Sequence, residues 1–254
     1  MVLRPLGRTG LKVSAIGLGT TKLGRNTNVK YPKSFALPTD QQVRELLETV
    51  LDAGVNLIDT APAYGDSERR LGPFVENSRE RLVVCTKAGE QYADDRSTHD
   101  FSAAAITRSV EESLRRLRTD HVDILLLHSN GRDVEILTDT DAPEALFTIK
   151  KSGKARAVGI SAKTDSGILE ACGIMDLVMA PFSQKDSSLA EALQRAHAAG
   201  LAVLAIKGLF SGRLGVRSAI EYVLRQTFVD ALVLGTIDPA HLREAVTIAA
   251  DIDR

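Results

Sequence analysis

The feature that most constrains the fold is a recurring unit: an amphipathic stretch ends at a glycine, and a short apolar run begins at once. It occurs at Gly54 before VNLID, Gly153 before KARAVGI, Gly173 before IMDLVM and Gly200 before LAVLAI. Glycine takes the left-handed conformation that ends a helix, so each is expected to close a helix and release the chain into a strand. Runs such as ILLL and VLAI do not alternate with polar residues, as expected of strands covered by helices on one face and a packed interior on the other. Runs near residues 14–19, 55–59, 82–86, 122–127, 155–160, 176–180, 202–206 and 231–234 predict eight strands, with a helix after nearly all. Between them helical periodicity is readable, for instance Ile106, Val110, Leu114 and Leu117 on one face behind Ser102 as N-cap. Eight such units in 254 residues predict an α/β chain folded as a (β/α)8 TIM barrel, one domain over 1–254. A doubly wound open sheet is the alternative, but its usual sign, G-x-G-x-x-G opening the first helix, is not met by GLGTTKLG at Gly17 to Gly24.

Composition sets wider bounds. With 44% hydrophobic residues, 26% charged and a net charge of -1, the chain can bury a large core, and nothing in it calls for a nucleic acid as partner. Cys85 and Cys172 form no metal-ligand or redox spacing, so no metal site is expected and a reducing cytoplasm fits. The first residues are broken by Pro5, Gly7 and Gly10, which predicts neither a signal peptide nor a membrane span. No feature of the sequence specifies an oligomeric state. Two connections, Thr21 to Asp40 and Ser129 to Asp141, are longer than joining requires and are expected to shape a substrate mouth, with Tyr92, His99, Asn130 and Phe182 as candidate lining residues.

Three apolar runs end on different polar chemistry: NLID at Asp59 with Tyr64 five residues on, RLVVCTK at Lys87, and VDILLLH at His128. In a parallel barrel their C-terminal ends share a rim, so a carboxylate, a phenol, an ammonium and an imidazole converge there. That is the equipment of an acid-base site: a phenol that must protonate an oxyanion is, with a pKa of about 10, a reluctant acid. An ammonium beside it stabilises the tyrosinate left behind, and a carboxylate beside the ammonium keeps it charged, roles that suit Lys87 and Asp59. His128 is suited to hydrogen-bonding the carbonyl oxygen or relaying a proton with Tyr64.

These residues, with the opening LGRTGLKVSAIGLGT, the block NLIDTAPAYGDSERRLG, the segment GKARAVGIS and GTIDPAHLRE near the end, resemble the aldo-keto reductase family over nearly the whole chain. The resemblance implies a barrel whose bottom is closed by an N-terminal β-hairpin. It also implies NAD(P)H-dependent reduction of a small aldehyde or ketone, with Asp59, Tyr64, Lys87 and His128 as the catalytic tetrad. Cofactor contacts are expected at Gly19 and Thr20, at Ser161, in the turn Lys207, Gly208, Leu209 and Gly212, and along Gly235, Thr236, Ile237, His241 and Glu244. Glycines there let backbone approach a pyrophosphate closely, and the free N–H groups of the last helix favour phosphate.

Several positions depart from the family pattern. Ala162 stands where an asparagine would hold the carboxamide, and Met179 and Ile206 replace a glutamine and a stacking aromatic, with Phe182 a candidate to compensate. His241 stands where an arginine commonly meets the adenosine 2'-phosphate, with Arg243 nearby as a substitute, which favours NADP(H) over NAD(H). Many members carry a further C-terminal segment over the pocket, which leaves this mouth to the loops named above. The departures keep open a cofactor-binding redox sensor with little turnover, and a strand-end lysine keeps open a Schiff-base enzyme of aldolase type with Lys87 as nucleophile.

Overall fold

A computed structural model describes residues 2–29, 31 and 34–252. The chain begins with an antiparallel hairpin, β1 (Leu3–Pro5) and β2 (Lys12–Ser14), then enters β3 (Ile16–Gly19), a short α1 (Thr21–Gly24) and α2 (Asp40–Asp52). It continues through β4 (Leu57–Asp59), a 3-10 turn over Pro62–Tyr64, α3 (Ser67–Ser78) and β5 (Val83–Ala88). A second hairpin follows, β6 (Glu90–Ala93) and β7 (Arg96–His99), before α4 (Ala103–Leu117) and β8 (Val122–His128). Next come α5 (Asp133–Thr138), α6 (Ala142–Lys151), β9 (Ala155–Ser161), α7 (Asp165–Glu170), β10 (Leu177–Pro181), α8 (Ala190–Ala198), β11 (Ala202–Ile206), α9 (Val216–Leu224), β12 (Ala231–Gly235) and α10 (Pro239–Ile252). Strands β3, β4, β5, β8, β9, β10, β11 and β12 pair in that order, all parallel, and β12 closes back onto β3. The eight expected runs are these strands, except that the first splits: Ser14 ends the hairpin and Ile16 starts the barrel.

The helices stop where the glycines were expected to stop them. Gly54, Gly153, Gly173 and Gly200 all have positive φ, a region costly for any residue with a Cβ. Ser102 caps α4, its side chain accepting from Ala105 N at 3.3 Å, and Ile106, Val110, Leu114 and Leu117 are buried. Thr39 and Gln42 form a full capping box on α2.

Because side chains alternate across a strand, the residues sort into two cores. One face of each strand, including Ile58, Val84, Leu125, Val158 and Leu232, packs under the helices. The other, including Leu57, Cys85, Ile124, Leu126, Ala157, Leu177, Leu204 and Ala231, fills the barrel. Leu6, Leu11 and Val13 join that interior core, so the N-terminal hairpin forms the barrel floor. Interior packing leaves one open layer, at the C-terminal ends of the strands.

Candidate active site

Counting in twos along each strand identifies that layer. From Leu57 the next inward position is Asp59, from Cys85 it is Lys87, and from Leu126 it is His128. Gly19 pairs in register with both Asp59 and Gly235, and His128 with Ser161. Asp59, His128, Ser161, Pro181, Ile206, Gly235 and Gly19 line a cavity of about 650 Å³, and the turn after β4 adds Tyr64.

Asp59 and Lys87 are almost wholly buried and form a direct ion pair, and Lys87 Nζ also donates to Thr60 O at 2.9 Å. Burial alone would discharge Lys87, but Asp59 and the nearby Tyr64 outweigh it and raise its pKa above the ordinary lysine value. Lys87 Nζ lies 4.8 Å from the centroid of the Tyr64 ring. Burial pushes the Tyr64 phenol up to about 12, with Lys87 and the side chain of Thr21 pulling against it and Asp59 adding to it. The expected lowering of this phenol by Lys87 is thus present but outweighed: desolvation is the larger effect, and Tyr64 stays protonated through the neutral range. Cys85, one inward position below Lys87, is fully buried with its thiol pushed well up, so it packs as an apolar group.

His128 and Tyr64 meet edge to face, with ring centroids 6.0 Å apart. His128 Nδ1 is 2.9 Å from Glu90 Oε2, a charge contact without hydrogen-bond geometry. Burial lowers the His128 pKa, against Glu90, which raises it, and with Lys87 adding to the lowering. Burial would raise Glu90, but its contact with His128 and help from Ser97 bring it down to about 2. The two directions are compatible: at neutral pH the carboxylate is ionised beside a neutral imidazole, and in acid the pair becomes doubly charged.

Support for these groups comes from behind. Thr20, expected to meet cofactor, is fully buried and does not line the cavity; its backbone N and hydroxyl both donate to Asp59 O, at 2.9 and 2.8 Å, and Ser67 Oγ donates to Thr20 Oγ1 at 2.7 Å. It locks β3 to β4 just where Asp59 turns inward. Outward-facing Thr86 donates to buried Glu68 at 2.6 Å, and Glu68 also accepts from Arg116 at 2.7 Å, which fixes β5 on the far side of Lys87.

Other expectations divide. Gly19, Ser161, Lys207, Gly208, Leu209, Gly212, Gly235, Thr236 and His241 all line the cavity. Ile237 and Glu244 do not: Ile237 packs against the helical core, and Glu244 lies on the exposed side of α10. Arg243 donates to Thr49 at 3.2 Å, across α10 and α2, so it does not replace the arginine that His241 lacks. His241 Nε2 instead lies 3.7 Å from the Asp238 carboxylate. Met179 is fully buried within the barrel, one inward position below the rim, where Pro181 stands. Phe182 faces outward onto Tyr222 and Phe228, with ring centroids 5.6 and 5.5 Å away, and neither lines the cavity nor compensates for Ile206.

The mouth is also built differently from expectation. The connection from Thr21 to Asp40 does contribute, through Thr21, Lys22, Arg25, Asn28, Val29 and Tyr31. That from Ser129 to Asp141 contributes no lining residue: it holds α5, and Asp133 accepts from the backbone N–H groups of Lys163 and Thr164 at 2.8 and 2.7 Å. Asn130 instead accepts from Arg132 N at 2.9 Å. The second hairpin takes that place, supplying Glu90 and Ser97. Tyr92 and His99 lie on it without lining the cavity: Tyr92 sits under the Arg25 guanidinium, 3.5 Å from its ring centroid, and His99 stacks on Phe101. Thr27 donates to Asp95 at 2.7 Å and ties the two segments together. Glu90 and Ser97 are site residues that sequence reasoning missed; their polar segment EQYADDRSTH carried a hairpin signal in Asp94 and Asp95, both at positive φ.

The family model described as Aldo/keto reductase family matches residues 15–214. The chain belongs to the aldo/keto reductase family. It is similar to L-galactose dehydrogenase of Arabidopsis thaliana, 31% identical over 87% of this chain and 69% of that protein. It is likewise similar to the NADH-specific methylglyoxal reductase of Escherichia coli (strain K12), 29% identical over 86% and 71%. Among solved structures, a putative aldo-keto reductase from Pseudomonas aeruginosa superposes with a TM-score of 0.92 at 41% identity, covering 100% of this chain and 96% of that one. The chain spans between 44% and 69% of the length of the curated relatives matched first. Members of the aldo/keto reductase family are oxidoreductases that use nicotinamide cofactors. No helix among the described residues is long and apolar enough to cross a membrane.

The residues present fit such a cofactor. The cavity runs from the His128 end to Lys207, Thr236 and His241, and four of its wall positions, Gly19, Gly208, Gly212 and Gly235, have no side chain. A Cβ on Gly235 would come within 3.0 Å of Tyr31 Oη, so glycine keeps that wall thin enough for backbone contact.

Proposed function

We propose that this protein is an NAD(P)H-dependent oxidoreductase that interconverts a small aldehyde or ketone and its alcohol, with Tyr64 as the proton donor to the carbonyl oxygen. The observation that carries this reading is the buried chain Asp59–Lys87–Tyr64, ending beside His128 on the one rim that opens into the large cavity. Gly19, Ser161, Lys207, Gly208, Thr236 and His241 would hold the cofactor, which when bound supplies the hydride. Tyr64 is a weak acid at rest, so it keeps its proton until negative charge develops on the substrate oxygen. Lys87 then balances the tyrosinate, and Asp59 keeps that lysine charged and in place. His128 holds the same oxygen from the side.

NADP(H) remains the proposed preference, with weak discrimination against NAD(H): His241 carries Asp238 as a neighbour and Arg243 donates to Thr49, so His241 would be the residue to hold a 2'-phosphate, with an acidic group beside it. The polar wall formed by Ser97, Asn28 and Glu90 suits a hydroxylated substrate, a class to which the substrate named for the Arabidopsis relative, L-galactose, belongs.

The test is oxidation of NADPH by purified protein with a panel of small aldehydes, wild type against Tyr64→Phe. Turnover that falls about a hundredfold or more in the variant, with NADPH binding kept, is the expected result. Tight binding without turnover on any carbonyl would instead favour the redox-sensor reading, to which Ala162 at the cavity wall lends support because it offers no amide to the cofactor. Borohydride trapping of a carbonyl on Lys87 would favour the Schiff-base enzyme.

A further inference from the structure

We propose that Arg25 is a positioning residue for the proton donor: its guanidinium ties the turn that carries Tyr64 to the two segments that wall the mouth, so that donor and substrate wall are held in one frame. This role deepens the function proposed above and rests on it for its catalytic half; the tie itself stands on the contacts alone.

Arg25 closes α1 in an extended conformation, just past the point where that helix meets the turn. There the backbones approach with no side chain between them: a Cβ on Gly65 would come within 2.3 Å of Gly24 O. A guanidinium presents five N–H donors in one rigid plane. Arg25 commits three of them to backbone carbonyls: Nε donates to Thr27 O at 3.0 Å, Nη1 to Ala63 O at 3.0 Å and Nη2 to Asn28 O at 3.1 Å. Its face lies on the Tyr92 ring, 3.5 Å from the centroid. One side chain thus touches three stretches of chain: its own mouth segment, the turn Pro62–Tyr64 and the second hairpin.

Two of these stretches already form a unit. The hydroxyls of Thr27 and Tyr92 both donate to the Asp95 carboxylate, at 2.7 and 2.8 Å, and Asn28 Nδ2 donates to Asp95 O at 2.8 Å. That unit presents Asn28, Glu90 and Ser97 to the cavity. Ala63 is 1% exposed and directly precedes Tyr64, so its carbonyl is where the unit is fastened to the proton donor. Lys87 and His128 meet the Tyr64 ring from the strand ends, but they act on the side chain and not on the backbone of the turn. Without Arg25 the buried Ala63 carbonyl loses its side-chain partner, and the turn can shift against the wall on which a substrate would rest. The residues proposed to hold the far end of the cofactor, Lys207, Thr236 and His241, come from the ends of β11 and β12 and from α10, outside this frame.

The test removes the guanidinium and then gives it back. In protein labelled with ¹³C at the tyrosine Cζ, Tyr64→Phe assigns the Tyr64 signal among four tyrosines. Wild-type Tyr64, its phenol pushed by burial up to about 12, is expected to stay protonated through about pH 11, whereas in Arg25→Ala its midpoint should fall toward the ordinary value of about 10 as the turn moves into water. The sign separates the causes, because loss of a nearby cation by itself would raise a phenol's pKa. Guanidinium chloride at about 50 mM, far below denaturing concentrations, should fill the slot left between the three carbonyls and the Tyr92 ring and restore the wild-type midpoint; sodium chloride of equal strength should not. With NADPH and an aldehyde, kcat of Arg25→Ala should fall about a hundredfold, the scale of a donor displaced by about 1 Å, with the Kd for NADPH unchanged and most of the loss recovered by guanidinium. Arg25→Lys, which keeps the charge and loses the planar fork, should behave as Arg25→Ala does. A Tyr64 midpoint unmoved in Arg25→Ala, full activity in Arg25→Lys or no recovery with guanidinium overturns the role. If Arg25→Ala fails to fold, Tyr92→Leu decides: removing the ring beneath the guanidinium should shift the Tyr64 midpoint in the same direction and lower kcat about three- to tenfold, and no change in either overturns the role. A protein with no turnover on any carbonyl refutes the proposed reductase function, while the Tyr64 midpoint still decides the tie.

Discussion

At the scale of the residue, the site depends on a charged pair that desolvation opposes. Lys87 is 1% exposed, and what keeps it ionised is Asp59 together with the Thr60 carbonyl. Replacing Lys87 by methionine would leave the Asp59 carboxylate buried without a counter-ion, beside Cys85 and Tyr64. The expected loss is about 3–5 kcal/mol of stability by chemical denaturation. The double variant Lys87→Met with Asp59→Asn should lose clearly less than the sum of the single changes, since the buried charge is removed with its partner. Additive losses would mean that the two residues act separately. Activity should be lost in both variants, because Tyr64 would have no cation to stabilise its deprotonated form.

At the scale of the element, the geometry of the candidate site is set by short pieces rather than long helices. Tyr64 sits on a 3-10 turn of three residues, and what holds that turn is the close approach of α1: a Cβ on Gly24 would collide with the Tyr64 carbonyl and the Ser67 amide. Gly24→Ala must push the turn aside. The turn is three residues long and is tied to the mouth by the Arg25 guanidinium, which donates to Ala63 O at 3.0 Å, whereas the barrel strands are fixed on both faces, so the cost is expected mainly in catalysis. A fall of about a hundredfold in kcat/KM, the scale of a misplacement near 1 Å, should accompany a small drop in Tm. A large fall in Tm with full specific activity in the folded fraction would show that α1 stabilises the barrel and not the site. The second hairpin works in the same way. It carries Glu90 to His128 and is held by Arg25 over Tyr92 and by Thr27 on Asp95, so the two mouth segments position each other.

At the scale of the molecule, the barrel separates duties by strand face and strand end. The helix-covered faces and the interior below the rim hold apolar side chains, while the open layer collects Asp59, Lys87, His128 and Ser161. A nicotinamide cofactor held by the proposed residues Gly19, Ser161, Lys207, Gly208, Thr236 and His241 would favour the folded state over the unfolded one. At a hundredfold excess of NADPH over its Kd the gain is about 2.7 kcal/mol, measured as a rise in Tm that scales with the logarithm of ligand concentration. His241→Glu should reduce that rise for NADPH more than for NADH, because a second carboxylate would join Asp238 at the position of the 2'-phosphate; an equal reduction would remove His241 from cofactor selection. The sequence alone determined the number and order of the barrel strands, the glycines that end the helices and the convergence of Asp59, Tyr64, Lys87 and His128 on one rim. Each of these follows from local rules: hydrophobic period, cap conformation, and polar residues where apolar runs stop. Only the tertiary structure decided which side of each strand end faces the cavity. It turned Met179 and Phe182 away, made Thr20 a brace, gave Arg243 to Thr49 and brought Glu90 against His128. Such contacts join residues 18 or more positions apart, or depend on the inward-outward parity of a strand whose ends sequence fixes only to within a residue or two. A one-residue change in that parity exchanges wall for core, which is why the chemistry was legible in the sequence and its placement was not.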